Sequence, residues 1–240
     1  MRTKQVEKKA KGDGVQSGNN FFTDDGPVFS YDEKMDFLYM ICELDYKVVT
    51  KRREKKNIKY INLPCAFDIE TTSTYHNGRK AACMWIWMFG INGICIYGRT
   101  WSQFMSLMED IVTVFDLNCD TRLPIYVHNL NYEFQFMRKF FKWLEVFNIK
   151  ERTPIYSSTV LGLEFRCSYM LTGVRLEKVG EELIKYKCKK MVGDLDYDKI
   201  RHHKTPVTAE ELGYCINDIR VVMCKIMECI EQEGSVAKIP

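Results

Sequence analysis

Hydrophobic positions recur along this chain in two different periods. Short apolar or alternating runs, the mark of strands, occur at "INLPCAFDI", "AACMWIWMFGI", "ICIYGR" and "PIYVH". The first predicts a buried strand ending at Asp68 and Glu70, and the next two flank Asn92-Gly93, a pair suited to a tight hairpin turn. A second hairpin is predicted over "PIYSSTVLGLEFRCSYML". Helical spacing appears in "SYDEKMDFLYMICELDYKVV", where Met35, Leu38, Tyr39 and Cys42 fall on one face behind a capping Ser30. "SQFMSLMEDIVTVFDLN" (capped by Ser102), "NYEFQFMRKFFKWLE" and "RLEKVGEELIKYK" also read as helices. A last helix starts at Thr208, with Glu211 completing a capping box, and runs to about Gln232. Two hairpins, a lone strand and several helices predict an α/β layer with a mixed sheet flanked by helices.

Ahead of that region, residues 1–59 read as an N-terminal extension made of a polar flexible tail, one short helix and a basic segment. The basic run "KRREKK", Lys51 to Lys56, reads as a solvated linker or as a phosphate- or partner-contacting segment. Residues 60–240 form the main domain. The 240 residues are 46% hydrophobic, enough for one large core, and a net charge of +3 does not by itself announce a nucleic-acid partner. None of the ten cysteines forms a C-x-x-C pair, and no signal peptide precedes them, so they read as reduced core thiols of a cytoplasmic protein, with a disulfide scaffold the alternative. No apolar run is long enough for a membrane span.

Three acidic stations stand out. Asp68 and Glu70 are two apart on a strand, so both carboxylates face the same side, where they repel unless a divalent cation lies between them. Asn129 sits where "PIYVH" ends, and Glu133 is four residues on; together they face one pocket, or Asn129 caps the helix and Glu133 is solvated. Tyr214 and Asp218 share a helix face, and Asp218 lies among Ile216, Ile219, Val221 and Val222, as a ligand or as a structural carboxylate.

In this order, Asp68-x-Glu70, Asn129-x-x-x-Glu133 and Tyr214-x-x-x-Asp218 resemble the three exonuclease motifs of family B DNA polymerases, above all the protein-primed enzymes of bacteriophages. "FDIETT", "HNLNYEF", "GDLDYDK" and "TAEELGYCINDI" resemble segments of that family's proofreading domain, and the likeness covers Tyr60 to Glu233. It implies a ribonuclease-H-like 3′–5′ exonuclease fold and two divalent ions, Mg²⁺ or Mn²⁺. By the same likeness Asp68 bridges both ions, Glu70 and Asp218 each help one, Glu133 completes the four acids, and Tyr214 with Glu70 orients the attacking water. Products would be nucleoside 5′-monophosphates released from a single-stranded DNA 3′ end. Thr71, His128 and Asn129 match DNA-contacting positions, and Tyr132 and Phe136 match aromatic positions around the same strand, with core packing the alternative for Phe136. Ser168 and Tyr169 match a Ser-Leu pair that grips the terminal nucleotide, and Tyr197 matches a tyrosine near the primer end.

Two departures from the pattern follow. Glu133 replaces the usual aspartate, and Val192 stands where the family has lysine before Gly193-Asp194, with Lys189 or Lys190 as substitutes. The first predicts weaker activity or a changed metal preference. No D-x-x-S-L-Y-P or Y-x-D-T-D motif occurs, and "EGSVAKIP" falls about where the palm domain would begin, so no polymerisation is expected. The chain then reads as a separate proofreading domain or as half of a split polymerase, with a polymerase half or terminal protein as partner, in bacterial cytoplasm if phage-encoded. A catalytically weakened module that holds primer DNA or a partner is the alternative, and preference for DNA over RNA is left open. His202-His203 reads as a solvated loop, and "MWIWMFG" as core.

Overall fold

The computed structural model describes residues 26–53, 55–191, 195–196 and 199–240. Val192, Gly193, Asp194 and Tyr197, singled out above, lie outside the described residues. The hairpin rule around Asn-Gly organises the centre of the sheet. β4 (Cys65–His76) and β5 (Arg79–Ile91) pair antiparallel around Asn77-Gly78, and β5 pairs with β6 (Ile94–Gly98) around Asn92-Gly93. All four turn residues have positive φ, as a turn that matches the strand twist requires. β4 also pairs in parallel with β7 (Thr121–Val127), at the single position Ala66–Tyr126. β10 (Leu163–Cys167) lies parallel to β7, followed antiparallel by β9 (Thr153–Thr159) and β8 (Trp143–Lys150). With β1 (Val28–Ser30) parallel to β6, the sheet order is β1-β6-β5-β4-β7-β10-β9-β8.

Strand alternation sorts the apolar side chains onto two layers. Trp87, Phe89 and Ile91 of β5 face α1 (Lys34–Cys42), α2 (Trp101–Val114) and α3 (Leu130–Met137). Ile86 and Met88 face α5 (Leu176–Glu182), which follows the short α4 (Ser168–Thr172), and α6 (Ala209–Glu233). In β4, Phe67 and Ile69 join the first layer and Ala66 the second, so Asp68 and Glu70 are directed to the face that α6 covers. α6 begins at the expected Thr208–Glu211 capping box. No helix among the described residues is long and apolar enough to cross a membrane.

Several expectations are corrected. β4 does not end at Glu70; a register shift between Glu70 and Thr71 lets pairing continue to His76. α2 is capped by Thr100, which exchanges bonds with Gln103, and Ser102 lies within the helix. The predicted helix after Asn129 stops at Met137, and Trp143 to Lys150 is instead a strand, since β9 offers it a ladder that local propensity cannot anticipate. α1 follows a 3-10 turn over Tyr31–Glu33 and buries Phe37, Leu38 and Ile41, leaving Met35, Tyr39 and Cys42 exposed. Its sequence is apolar nearly all round, so spacing alone selects no unique face. The basic run is no loose linker: it spans the hairpin of β2 (Val48–Arg53) and β3 (Lys56–Ile61). β3 pairs with β7, and the expected domain start at Tyr60 falls inside β3. The cysteines are free, seven of them buried, whereas Cys42 and Cys83 are exposed.

Candidate active site

Each acidic station arrives on a different element, and each for a local reason. Asp68 and Glu70 sit on one face of β4, just before the shift in its ladder. Asn129 closes β7 in a left-handed conformation, φ 83°, and makes no side-chain cap bond; its backbone turn, not its amide, starts α3. On α3, Leu130, Glu133 and Met137 form the buried stripe, so Glu133 is turned inward and not solvated. Asp218 is buried on α6 among the apolar residues that seat this helix on β4, β5 and β7.

One oxygen from each of Asp68, Glu70 and Asp218 lies within 4.8 Å of the other two. Glu133 stands outside that trio but close to Asp68, each carboxylate feeling the other. Burial, then Glu133, Glu70 and Asp218 in turn, push the Asp68 carboxyl well above its ordinary range. Burial and the neighbouring Asp218 push Glu70 up to about 7, against relief from Lys190 and Arg201. Burial pushes Glu133 up to about 8. Asp218 is also raised by burial, eased by Lys190, whose Nζ lies 3.0 Å from Asp218 Oδ2. Glu133 Oε2 and Asp218 Oδ1, like His128 Nε2 nearby, are among the buried side-chain atoms with no hydrogen-bond partner among the described residues. Hard oxygen donors grouped at this spacing, with Asp218 Oδ1 unsatisfied among them and Glu133 Oε2 beside them, are the donor set a Mg²⁺- or Mn²⁺-type cation takes.

Around the acids, Thr71 Oγ1 and Tyr132 Oη share a hydrogen bond at 2.5 Å, and the Tyr132 ring is half exposed, 5.2 Å from Phe136. Phe136 is partly buried against the first-layer core, which accounts for its packing without a ligand. His128 Nδ1 pairs with Ser168 Oγ at 3.1 Å, and its ring meets the exposed Tyr169 edge-on. Burial and the charge of Lys190 lower His128 to about 4, so the imidazole is neutral near pH 7. Tyr214 lies one turn before Asp218 on α6, with Lys190 Nζ 5.1 Å from its ring centre. Sequence reasoning reached Lys190 only as a substitute for a missing lysine and did not reach Asn217. The Asn217 amide binds the segment that carries Lys190, a long-range contact that no local periodicity signals.

No family model matches this chain, and no curated protein matches it by sequence. Solved structures do. A phi29 DNA polymerase complexed with primer-template DNA and incoming nucleotide aligns at TM-score 0.57 and 17% identity, over 72% of this chain and 31% of that one. A phi29 polymerase complexed with single-stranded DNA aligns at 0.55 and 18%, over 72% and 32%. The Nibbler EXO domain of Aedes aegypti aligns at 0.50 and 11%, over 88% of this chain and 90% of that domain. The fold is therefore the ribonuclease-H-like exonuclease fold, and this chain spans about a third of the length of the polymerases it matches.

Proposed function

We propose that the chain is a metal-dependent 3′–5′ exonuclease acting on single-stranded DNA ends, the proofreading part of a protein-primed DNA polymerase system. The observation that carries it is the meeting of Asp68, Glu70 and Asp218 within 4.8 Å, with buried oxygens of Asp218 and nearby Glu133 left without a partner. The shared fold supports the reaction class, and the phi29 polymerase complexed with single-stranded DNA supports the substrate class. A divalent cation, one or a pair, supplies Lewis-acid polarisation and charge neutralisation at the scissile phosphodiester.

The roles of the chain's own residues are those the family resemblance implies, and the chemistry of each side chain suits them. Asp68, Glu70 and Asp218 hold the cation, with Glu133 beside Asp68. The Tyr214 hydroxyl, with Glu70, orients the attacking water, whose proton passes to solvent as it attacks. The water oxygen bonds to phosphorus as the P–O3′ bond breaks, leaving a 3′-hydroxyl on the shortened strand and a nucleoside 5′-monophosphate. Thr71, His128, Asn129 and Ser168 would steer the strand, with Tyr132, Tyr169 and Phe136 as stacking surfaces. A polymerase half or terminal protein is the partner this reading implies.

The test is digestion of a 5′-labelled single-stranded oligonucleotide in Mg²⁺, Mn²⁺ or EDTA, beside Asp68→Ala/Glu70→Ala. A ladder shortening from the 3′ end, abolished by EDTA and by the double substitution, is expected. Undiminished digestion in the double variant would sink the reading. Tight binding without shortening in either metal would leave a DNA-holding module in its place.

A further inference from the structure

One cationic side chain among the described residues contacts the trio of acids: Lys190, named above only as a substitute for the lysine that the family places before Gly193-Asp194. Lys190 Nζ lies 3.0 Å from Asp218 Oδ2, and the lysine side chain is largely covered. Arg201, the other cation whose charge Glu70 feels, is already engaged by Glu211 at 2.7 Å.

Lys190 is not a side chain that has swung in from a loose loop. The strap between α5 and α6 is fastened on both sides of it. The Asn217 amide donates to Lys189 O at 3.0 Å and accepts from Met191 N at 2.6 Å, so one side chain holds both peptides flanking Lys190. Further back, the backbone N–H groups of Ile184, Lys185 and Tyr186 all donate to Glu228 Oε1. The strap also presses on α5 at Gly180, where an added Cβ would sit 2.8 Å from Lys190 N and 3.1 Å from Cys188 O. Asn217 immediately precedes Asp218, so the helix that presents the carboxylate also fixes the lysine that covers it.

We propose that Lys190 is a resident cation of the acid cluster, held on Asp218 by Asn217, and that a divalent ion binds in competition with it. The inference rests on the metal-dependent reading above. Two effects of the lysine oppose each other. By taking Asp218 Oδ2 it steadies the carboxylate with Oδ1 directed inward, a contribution of roughly 10–100-fold to cation affinity in comparable outer contacts. An ammonium one carboxylate away from a divalent ion repels it, and in a partly buried site that repulsion is the larger effect. Net competition follows, and the lysine keeps the crowded carboxylates tolerable when no ion is bound.

The test is Mn²⁺ titration by calorimetry of the full chain, with melting temperature recorded with and without the ion. Lys190→Met is expected to bind Mn²⁺ at least tenfold more tightly and to melt lower than wild type without metal at pH 8. Lys190→Arg keeps the charge and is expected to stay within about threefold of wild-type affinity. Asn217→Ala is expected to tighten binding by less than Lys190→Met, and to add nothing when combined with it, because it acts through the lysine. Unchanged or weaker affinity in Lys190→Met, with wild type binding normally, overturns this inference and leaves the nuclease reading intact. No Mn²⁺ binding by wild type overturns both.

Discussion

The protein buries carboxylates in two places and treats them in opposite ways. Glu164, on β10, is fully buried, yet its carboxyl is held below the ordinary range. Burial pushes it up, but Arg166 at 2.6 Å, Arg122 at 3.1 Å and the Tyr156 hydroxyl at 2.9 Å outweigh that. At the acid trio and the neighbouring Glu133, burial is less complete and carboxylates face carboxylates, with Lys190 as the contacting ammonium, and Asp68, Glu70, Glu133 and Asp218 all shift upward. The first cluster is closed: Arg166 also donates to the carbonyls of Val236 and Ile239 and ties the chain's last residues to the sheet. The second is left short of positive charge and of hydrogen bonds. That difference separates a carboxylate that builds the fold from carboxylates waiting for a ligand.

Breaking the closed cluster is expected to have the largest effect on stability. Glu164→Ala leaves two arginines buried without their acid and should cost about 3–5 kcal/mol, lowering Tm by roughly 10 °C or more. Relieving the open cluster should act in the opposite direction. Glu133→Gln removes a carboxyl raised to about 8 and should raise the metal-free Tm at pH 8 by several degrees while lowering nuclease activity.

The pH dependence sharpens the same contrast. A raised carboxyl binds its proton more tightly in the folded state than in the unfolded one. The stability it adds is complete below the unfolded value of 4.5 and is lost as pH rises through about 7 for Glu70 and 8 for Glu133. Metal-free wild type should therefore melt progressively lower from pH 5 to pH 8 in calorimetric scans. Glu133→Gln should flatten that slope, and added Mn²⁺ should restore most at pH 8. The smallest effect is expected from Tyr132→Phe, which loses the Thr71 bond at a half-exposed site but keeps the ring. Tm should move by no more than about 2–3 °C, with a few-fold rise in KM for the oligonucleotide and little change in kcat.

What the sequence made legible divides along the same physical line. The Asn92-Gly93 turn and the Thr208–Glu211 box were readable because a few neighbouring residues decide them. The same rule would have found the Asn77-Gly78 turn, and with it the full length of β4, had it been applied there. For Asp68, Glu70 and Asp218, periodicity gave only the way each points; their order, which resembles three exonuclease motifs, made them a set, and the structure brings those three together. The first residues of β8, Trp143 to Glu145, were misread as the end of a helix because their state depends on β9, the partner across a turn. The inward face of Glu133 needed the phase of α3, set by the left-handed turn at Asn129. Asn217 was invisible for a further reason: its partners lie 26, 28 and 29 residues away, and apart from the Cys188 thiol they are backbone atoms, which carry no residue identity.

The glycine at position 180 has a meaning for anyone who would copy this centre elsewhere. Grafting Lys190 and Asn217 onto another protein of the same fold would transfer the charge and its clip, but not the height at which the strap crosses the helix beneath. That height exists because position 180 lacks a methyl group, and the atoms that would collide with one are main-chain atoms that cannot rotate aside. An alanine there would lift the strap and carry the ammonium with it, away from Asp218. The recipe for the resident cation thus has three ingredients, and the third is a space.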